Sequence, residues 1–138
     1  MLHTNNALIN NRQSALTEAE RKQQTQLIMQ LFAHWRLNYK QQAIVLGLSA
    51  NTETSIYLYK CGKRYLPEYR DIQDRIKHLL TIHKYLRRAY SSNKELAYRW
   101  IVTPNTDFNL CSPFDVIDQE GHMGLVKIRH YLEANQFT

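Results

Sequence analysis

The sequence predicts an all-α fold: an N-terminal helix-turn-helix bundle followed by a small C-terminal helical module. Three observations predict it. The 138 residues hold only 4 Gly and 3 Pro, while Leu, Gln, Arg, Lys and Ala, all good helix formers, are abundant. Apolar residues recur at spacings of three and four rather than in alternation. Capping signals stand directly before those apolar runs, at Thr17, Asn38, Ser92 and Ser112.

Residues 1–16 read as a flexible tail, Asn-rich at first and without apolar period. Thr17-Glu18-Ala19-Glu20 has capping-box spacing, and Leu27, Ile28, Leu31, Phe32 and Trp35 follow at helical intervals, so a first helix is predicted over about 18–35. His34 beside that stripe reads as an ordinary surface or satisfied histidine. Asn38 can cap a second helix, Tyr39 to Leu46, with Ala43 and Leu46 facing inward. Gly47 then offers a left-handed cap, and Leu48 plugs the angle to the next helix.

The pattern that closes a helix-turn-helix unit is found when read from Thr52: Thr52, Ser55, Ile56, Tyr59, Gly62. This implies a turn about three residues longer than usual, with Thr52 as N-cap and a helix over 53–61. Ile56 and Tyr59 pack inward on this register. Thr54, Tyr57, Leu58 and Lys60 lie outward, where a recognition helix meets the major groove. Lys60, Lys63 and Arg64 can neutralise phosphates, and Gln41 and Gln42 open the preceding helix where it can touch the DNA backbone. With Ser55, these are the candidate DNA contacts. Glu53 in the first turn favours the helix dipole but repels phosphate.

From about Glu68 to Ala89 runs the longest helix, with Ile72, Ile76, Leu79, His83 and Leu86 on one stripe; it can bury against the first helix or form a dimer seam. Ser92-Asn93-Lys94-Glu95 reads as a second capping box, opening a helix with apolar Leu96, Ala97, Trp100 and Ile101 that Thr103-Pro104 ends near Val102. Ser112 as N-cap and Pro113 at the first helical position start the next helix. Gly121 and Gly124 bracket a turn. A last helix, about 124–135, turns Leu125, Ile128 and Leu132 inward.

Charge divides the chain. Residues 60–88 hold nine Lys and Arg against Glu68, Asp71 and Asp74, whereas residues 104–138 hold Lys127 and Arg129 against five acids. The basic middle suits a polyanion and the acidic end a protein partner. No apolar run approaches the roughly 20 residues that span a bilayer, and Met1–Asn6 lacks the basic and apolar regions of a secretory signal. The cytoplasm is therefore expected, with no membrane partner. Cys61 and Cys111, the only cysteines, make neither a disulfide framework nor a zinc site. His78 and His83 are five apart, which is not the spacing of helical metal ligands. No Gly-rich phosphate cradle, metal-ligand cluster or nucleophile motif appears, so no enzyme activity, cofactor or metal is expected.

Two stretches together resemble a known family. Leu96-Ala97-Tyr98-Arg99-Trp100, Pro104-Asn105, Ser112-Pro113-Phe114-Asp115-Val116-Ile117, Gly121 and the closing Leu125/Ile128/Leu132 helix resemble the toxin-binding domain of Xre/MbcA/ParS antitoxins. The stretch from Trp35 through Gly47-Leu48-Ser49 to Arg64 resembles the helix-turn-helix domain that precedes it in that family. The resemblance spans roughly residues 17–135 and implies a helix-turn-helix domain over 17–90 and a toxin-binding domain over 91–138. It also implies a homodimeric antitoxin that represses its own operon by binding operator DNA and occludes a RES-type, NAD-degrading toxin. Carried onto this sequence, the toxin-contact positions are Trp100, Pro104, Asn105, Asp107, Phe108, Pro113, Phe114, Gly121 and Arg129. Asn105, Asp107 and Phe108 are expected to be exposed. Leu110-Cys111 stands where the family commonly has a Gly, and Asn135-Gln136 stands near a common terminal Gly.

Two other classes compete. A stand-alone dimeric helix-turn-helix regulator would use its C-terminal half only to dimerise. A small nucleic-acid enzyme would use His78, His83 and Tyr85, which lack a recognisable catalytic arrangement.

Overall fold

The computed structural model describes residues 15–49 and 52–135; among these described residues there are seven α-helices and two 3₁₀ turns, and no strand. The expected tail lies outside the described residues except for its last two. Ala50 and Asn51, in the expected long turn, also lie outside them.

Helix α1 (Glu18–His34) starts at Thr17. The Thr17 hydroxyl accepts the Glu20 amide and the Glu20 carboxylate accepts the Thr17 amide. Those bonds to Thr17 hold the Glu20 carboxyl below its ordinary range. Ile28, Leu31, Phe32 and Trp35 are buried as their spacing predicts, but Leu27 is 47% exposed. Thr25 takes the inward place instead. Its hydroxyl donates to the Arg21 carbonyl at 2.9 Å and accepts the Leu66 amide at 2.9 Å, tying the segment after the third helix to α1.

Helix α2 (Tyr39–Leu46) is opened by a reciprocal Asn38–Gln41 box and closed at Gly47, φ 71°. There the Leu48 amide donates to the Ala43 carbonyl at 2.9 Å, as a glycine-capped helix end requires. Helix α3 (Glu53–Lys60) buries Ile56 and Tyr59 and ends at Gly62, φ 76°. Thr52 occupies the N-cap position without capping. Its backbone is not extended (φ −111°, ψ 13°), and its hydroxyl donates back to the Ser49 carbonyl at 2.6 Å.

Helix α4 (Arg70–Ala89) begins two residues later than the sequence suggests, leaving Glu68 outside the helix and paired with Arg21 at 3.1 Å. Ile72, Ile76, Leu79, Ile82 and Leu86 are buried along it, and His83 is only half-buried. Helix α5 (Lys94–Arg99) is capped by Asn93, not Ser92. Glu95 is drawn away from a capping role by an ion pair with Arg36, 59 residues earlier. The 3₁₀ turns Trp100–Val102 and Thr106–Phe108 follow.

Helix α6 (Pro113–Glu120) starts at the expected Ser112 cap with Pro113 in its first turn, and Asp115 completes a reciprocal box with Ser112. Helix α7 (His122–Ala134) begins directly after Gly121, so Gly124 is a helical residue and not part of a turn. The reason is packing. A Cβ at Gly124 would meet the Val116 carbonyl oxygen at 2.6 Å and Ile117 Cα at 2.8 Å, so only glycine lets α6 and α7 touch backbone to backbone. Leu125, Ile128 and Leu132 of α7 are buried.

One buried cluster runs from Ile28 of α1 to Leu132 of α7. Helix α4 is its spine, packing against α1, α2, α5 and α7, while α2 also meets α6. The α4 stripe is therefore spent inside the molecule. Arg75 sits where the two halves join. Its guanidinium lies under Gly47, where an added Cβ would come within 2.5 Å of Nε, and its Nη2 is 4.0 Å from the Cβ position of Gly121. These glycines cap the C-terminal ends of α2 and α6, where helix dipoles favour a cation. Asp71 completes the pin, accepting from Arg75 Nε at 3.3 Å.

Candidate functional site

The α2–α3 pair forms the first candidate surface. The inward Ile56 and Tyr59 leave Glu53, Thr54, Tyr57 and Lys60 exposed, with Lys63 and Arg64 exposed beyond the helix end. Ser55 and Leu58 are half-buried on its flanks. Arg64 Nη1 donates to Ser55 Oγ at 3.2 Å, which holds the guanidinium against the helix. Lys60 Nζ lies 5.8 Å from the centre of the Tyr39 ring, within cation–π range. The Cys61 side chain one turn on raises the pKa of the Tyr57 hydroxyl.

A groove of about 720 Å³ runs beside α3, lined by Met29, Ala33, Leu37, Asn38, Tyr39, Lys40, Gln42, Glu53 and Lys60. Gln42 is not available to DNA. It is buried at 7% exposure and donates from Nε2 to the Leu37 carbonyl at 2.8 Å, because α2 must seal the end of α1. Gln41 is half-buried, with its Oε1 accepting the Asn38 amide at 2.9 Å. Lys40, one residue into α2 and exposed, is the cation that sequence reasoning left out. Its position just past the Asn38 cap was the available signal.

The second candidate surface is the turn 103–112 and the helix it rests on. Asn105 Oδ1 accepts the Asp107 amide at 2.8 Å, and an antiparallel bridge pairs Asn105 with Cys111. Closing that loop places two non-glycine residues in the left-handed region, Asn109 at φ 58° and Leu110 at φ 68°. Leu110 is 70% exposed, so a large apolar side chain is held outward on a strained backbone. Below the turn, Trp100, Phe108 and Tyr131 form an aromatic cluster with ring centres 4.9 to 6.3 Å apart. The Tyr131 hydroxyl donates to Asp107, and that bond raises the phenol pKa.

Phe108 is buried at 9% exposure, not exposed as the sequence suggests, because this cluster forms the floor of the turn. Pro113 and Phe114 are also turned into the core, and Trp100 is half-buried. Arg129 is half-buried between Glu133, at 2.7 Å, and His78 Nδ1, at 3.3 Å, and so faces α4. Gly121 holds a conformation suited to glycine, φ 63° and ψ −134°. Pro104, Asp107 and Leu110 remain exposed and Asn105 half-buried. Tyr131 was missed. It lies 24 residues from Asp107, and no local pattern links them.

A groove of about 480 Å³ beside the turn has Phe108, Val116 and Tyr131 in its floor and Asp107, Glu120, Lys127 and His130 around it. Lys127 pairs with Glu120 at 3.3 Å.

Four of the described histidines fall into two separate groups. His78 packs edge-on against His122 at 5.3 Å and accepts from Arg129. His83 lies parallel to Tyr98 at 6.4 Å, and His34 stacks on Tyr98 at 4.4 Å. Burial lowers the pKa of both His78 and His83, helped by Arg129 beside the first and Arg87 beside the second. His78, His83 and Tyr85 are not brought together: the first faces α7, the second α5, and Tyr85 stacks under Arg88. No cluster of three or more metal-ligating side chains occurs among the described residues, and none of their helices is long and apolar enough to cross a membrane.

No protein-family model matches the chain. The uncharacterized protein y4oB of Sinorhizobium fredii (strain NBRC 101917 / NGR234) is 30% identical over 102 residues, covering 74% of this chain and 75% of that protein. The chain belongs to the family of that protein.

Proposed function

We propose that this member of the y4oB family is a DNA-binding antitoxin. On this reading it acts as a homodimer, binds operator DNA through α2 and α3 to repress its own operon, and blocks a RES-type, NAD-degrading toxin through its C-terminal surface. The observation that carries the DNA half is the α2–turn–α3 unit. It exposes Thr54, Tyr57 and Lys60 on one helix face while Ile56 and Tyr59 anchor the other. Lys40, Lys63 and Arg64 add phosphate-neutralising charge around it. The toxin half rests on the resemblance of residues 96–132 to antitoxin domains, and the outward Leu110 and Asp107 supply an apolar and an acidic contact.

Both halves are tested with the full-length chain. Affinity for duplex DNA from upstream of its gene should fall linearly with salt on logarithmic axes, and Lys60→Ala should lower that slope by about 1. Co-expression with a RES-type toxin should yield a complex and loss of NAD degradation, and Leu110→Asp should release the toxin. Absence of a complex, with DNA binding intact, leaves a stand-alone dimeric regulator. The burial of Phe108, Pro113 and Phe114 favours this second reading, since it makes those positions supports of the fold.

A further inference from the structure

We propose that Glu53 reads a base: on the DNA-binding reading above, its carboxylate accepts a hydrogen bond from the N4 amino group of a cytosine in the major groove. Glu53 is the only acidic residue between Asn38 and Leu66, a stretch with four cations, Lys40, Lys60, Lys63 and Arg64. It is exposed in the first turn of α3, and the Thr52 side chain before it does not cap that turn. Among the described residues none of the four cations forms an ion pair with it. Arg64 is held on Ser55 and Lys60 lies over the Tyr39 ring instead.

An unpaired carboxylate on a surface suited to phosphates weakens contact with the DNA backbone. Its favourable partner is a hydrogen-bond donor on a base edge, and the first residues of a recognition helix are the ones that reach base edges. The major groove offers two such donors, cytosine N4 and adenine N6. Adenine places its N7 acceptor beside N6, where it repels a carboxylate. Cytosine presents N4 beside a C–H edge. The carboxylate therefore selects cytosine, and Thr54 on the same exposed turn is placed for a neighbouring base or phosphate.

Selection of a randomised duplex library on the full-length protein tests this. Cytosine should dominate one position of each half-site. Glu53→Gln should move that position toward adenine, which an amide recognises through N6 and N7, and should weaken binding to the original site about ten-fold or more. Other positions should keep their preference. Methylating N4 of that cytosine should weaken the unmodified protein by a similar factor, so the result does not hang on how the variant folds. An unchanged preference in Glu53→Gln, or indifference to the methyl group, overturns base reading and leaves DNA binding standing. Absence of salt-sensitive binding to any duplex overturns both.

Discussion

The two halves of this molecule solve the same problem, closing a helical hairpin, in opposite ways. The α2–α3 pair is held apart by a turn and filled with side chains: Gly47 is a left-handed cap, and Leu48, Ile56 and Tyr59 pack beneath it. The α6–α7 pair turns at Gly121 and packs backbone against backbone at Gly124. The first arrangement leaves a helix face free to carry Thr54, Tyr57 and Lys60. The second brings two helix backbones together, with Val116, Ile117, Gly124 and Leu125 buried at the join, and carries the 103–112 turn beside them. A spaced hairpin leaves a helix face exposed, and a tight hairpin supports a loop.

The largest expected effect tests whether the halves are one unit. Leu79 of α4 is fully buried, and Leu79→Ala should cost about 2–5 kcal/mol. Trp35 lies in the first half and Trp100 in the second, so Trp100→Phe and Trp35→Phe versions report each half separately by fluorescence. Coincident denaturation midpoints in both, shifted together by Leu79→Ala, are expected. Two separated transitions would divide the molecule where we see a common core.

The two glycines sharpen the contrast next. Gly124→Ala drives a Cβ into fixed backbone of α6 and should cost about 1–3 kcal/mol. Gly47→Ala meets only the movable end of Arg75, but its positive φ should still cost about 1–2 kcal/mol. Chemical denaturation of both variants measures the order. Equal melting of Gly124→Ala and the unmodified protein would show that the tight hairpin can open without loss.

Acid should weaken both histidine groups. The folded-state pKa values of His78 and His83 lie below the ordinary histidine value, so the unfolded chain binds more protons at mildly acidic pH. Their contribution is fully present above the unfolded pKa, near 6.5, and declines as pH falls below it. Melting temperature should therefore drop from pH 7.5 to pH 5, and His78→Gln or His83→Gln should each flatten part of that slope. The smallest effect is Leu110→Gly. It relieves a left-handed backbone, offset in part by the greater freedom of glycine when unfolded, and should gain well under about 1 kcal/mol. On the proposed function it should also lower toxin capture; a gain in both would remove Leu110 from the contact surface.

What could be read from the sequence was what neighbouring residues decide among themselves. The Thr17 box, the Asn38 and Ser112 caps, the inward Ile28, Ile56 and Leu125, and the glycine ends of α2 and α3 all follow from patterns within a few residues. Features set by distant partners were not legible. Glu95 leaves its capping box for Arg36, Thr25 displaces Leu27 because Leu66 needs its hydroxyl, and Gly124 is helical because of Val116 across the hairpin. In the candidate site, the outward face of α3 follows from helical period alone. The burial of Gln42 depends on the end of α1, and that of Phe108 on Tyr131 of α7.

Arg75 beneath Gly47 and Gly121 has a consequence for how this protein can change over generations. One side chain lies against the cap of the α2–α3 hairpin and beside the cap of the α6–α7 one, so neither hairpin can be exchanged for a foreign copy without refitting the other. Variation should therefore accumulate on the two outer faces, at residues such as Thr54 and Leu110, while the joint between them is inherited whole.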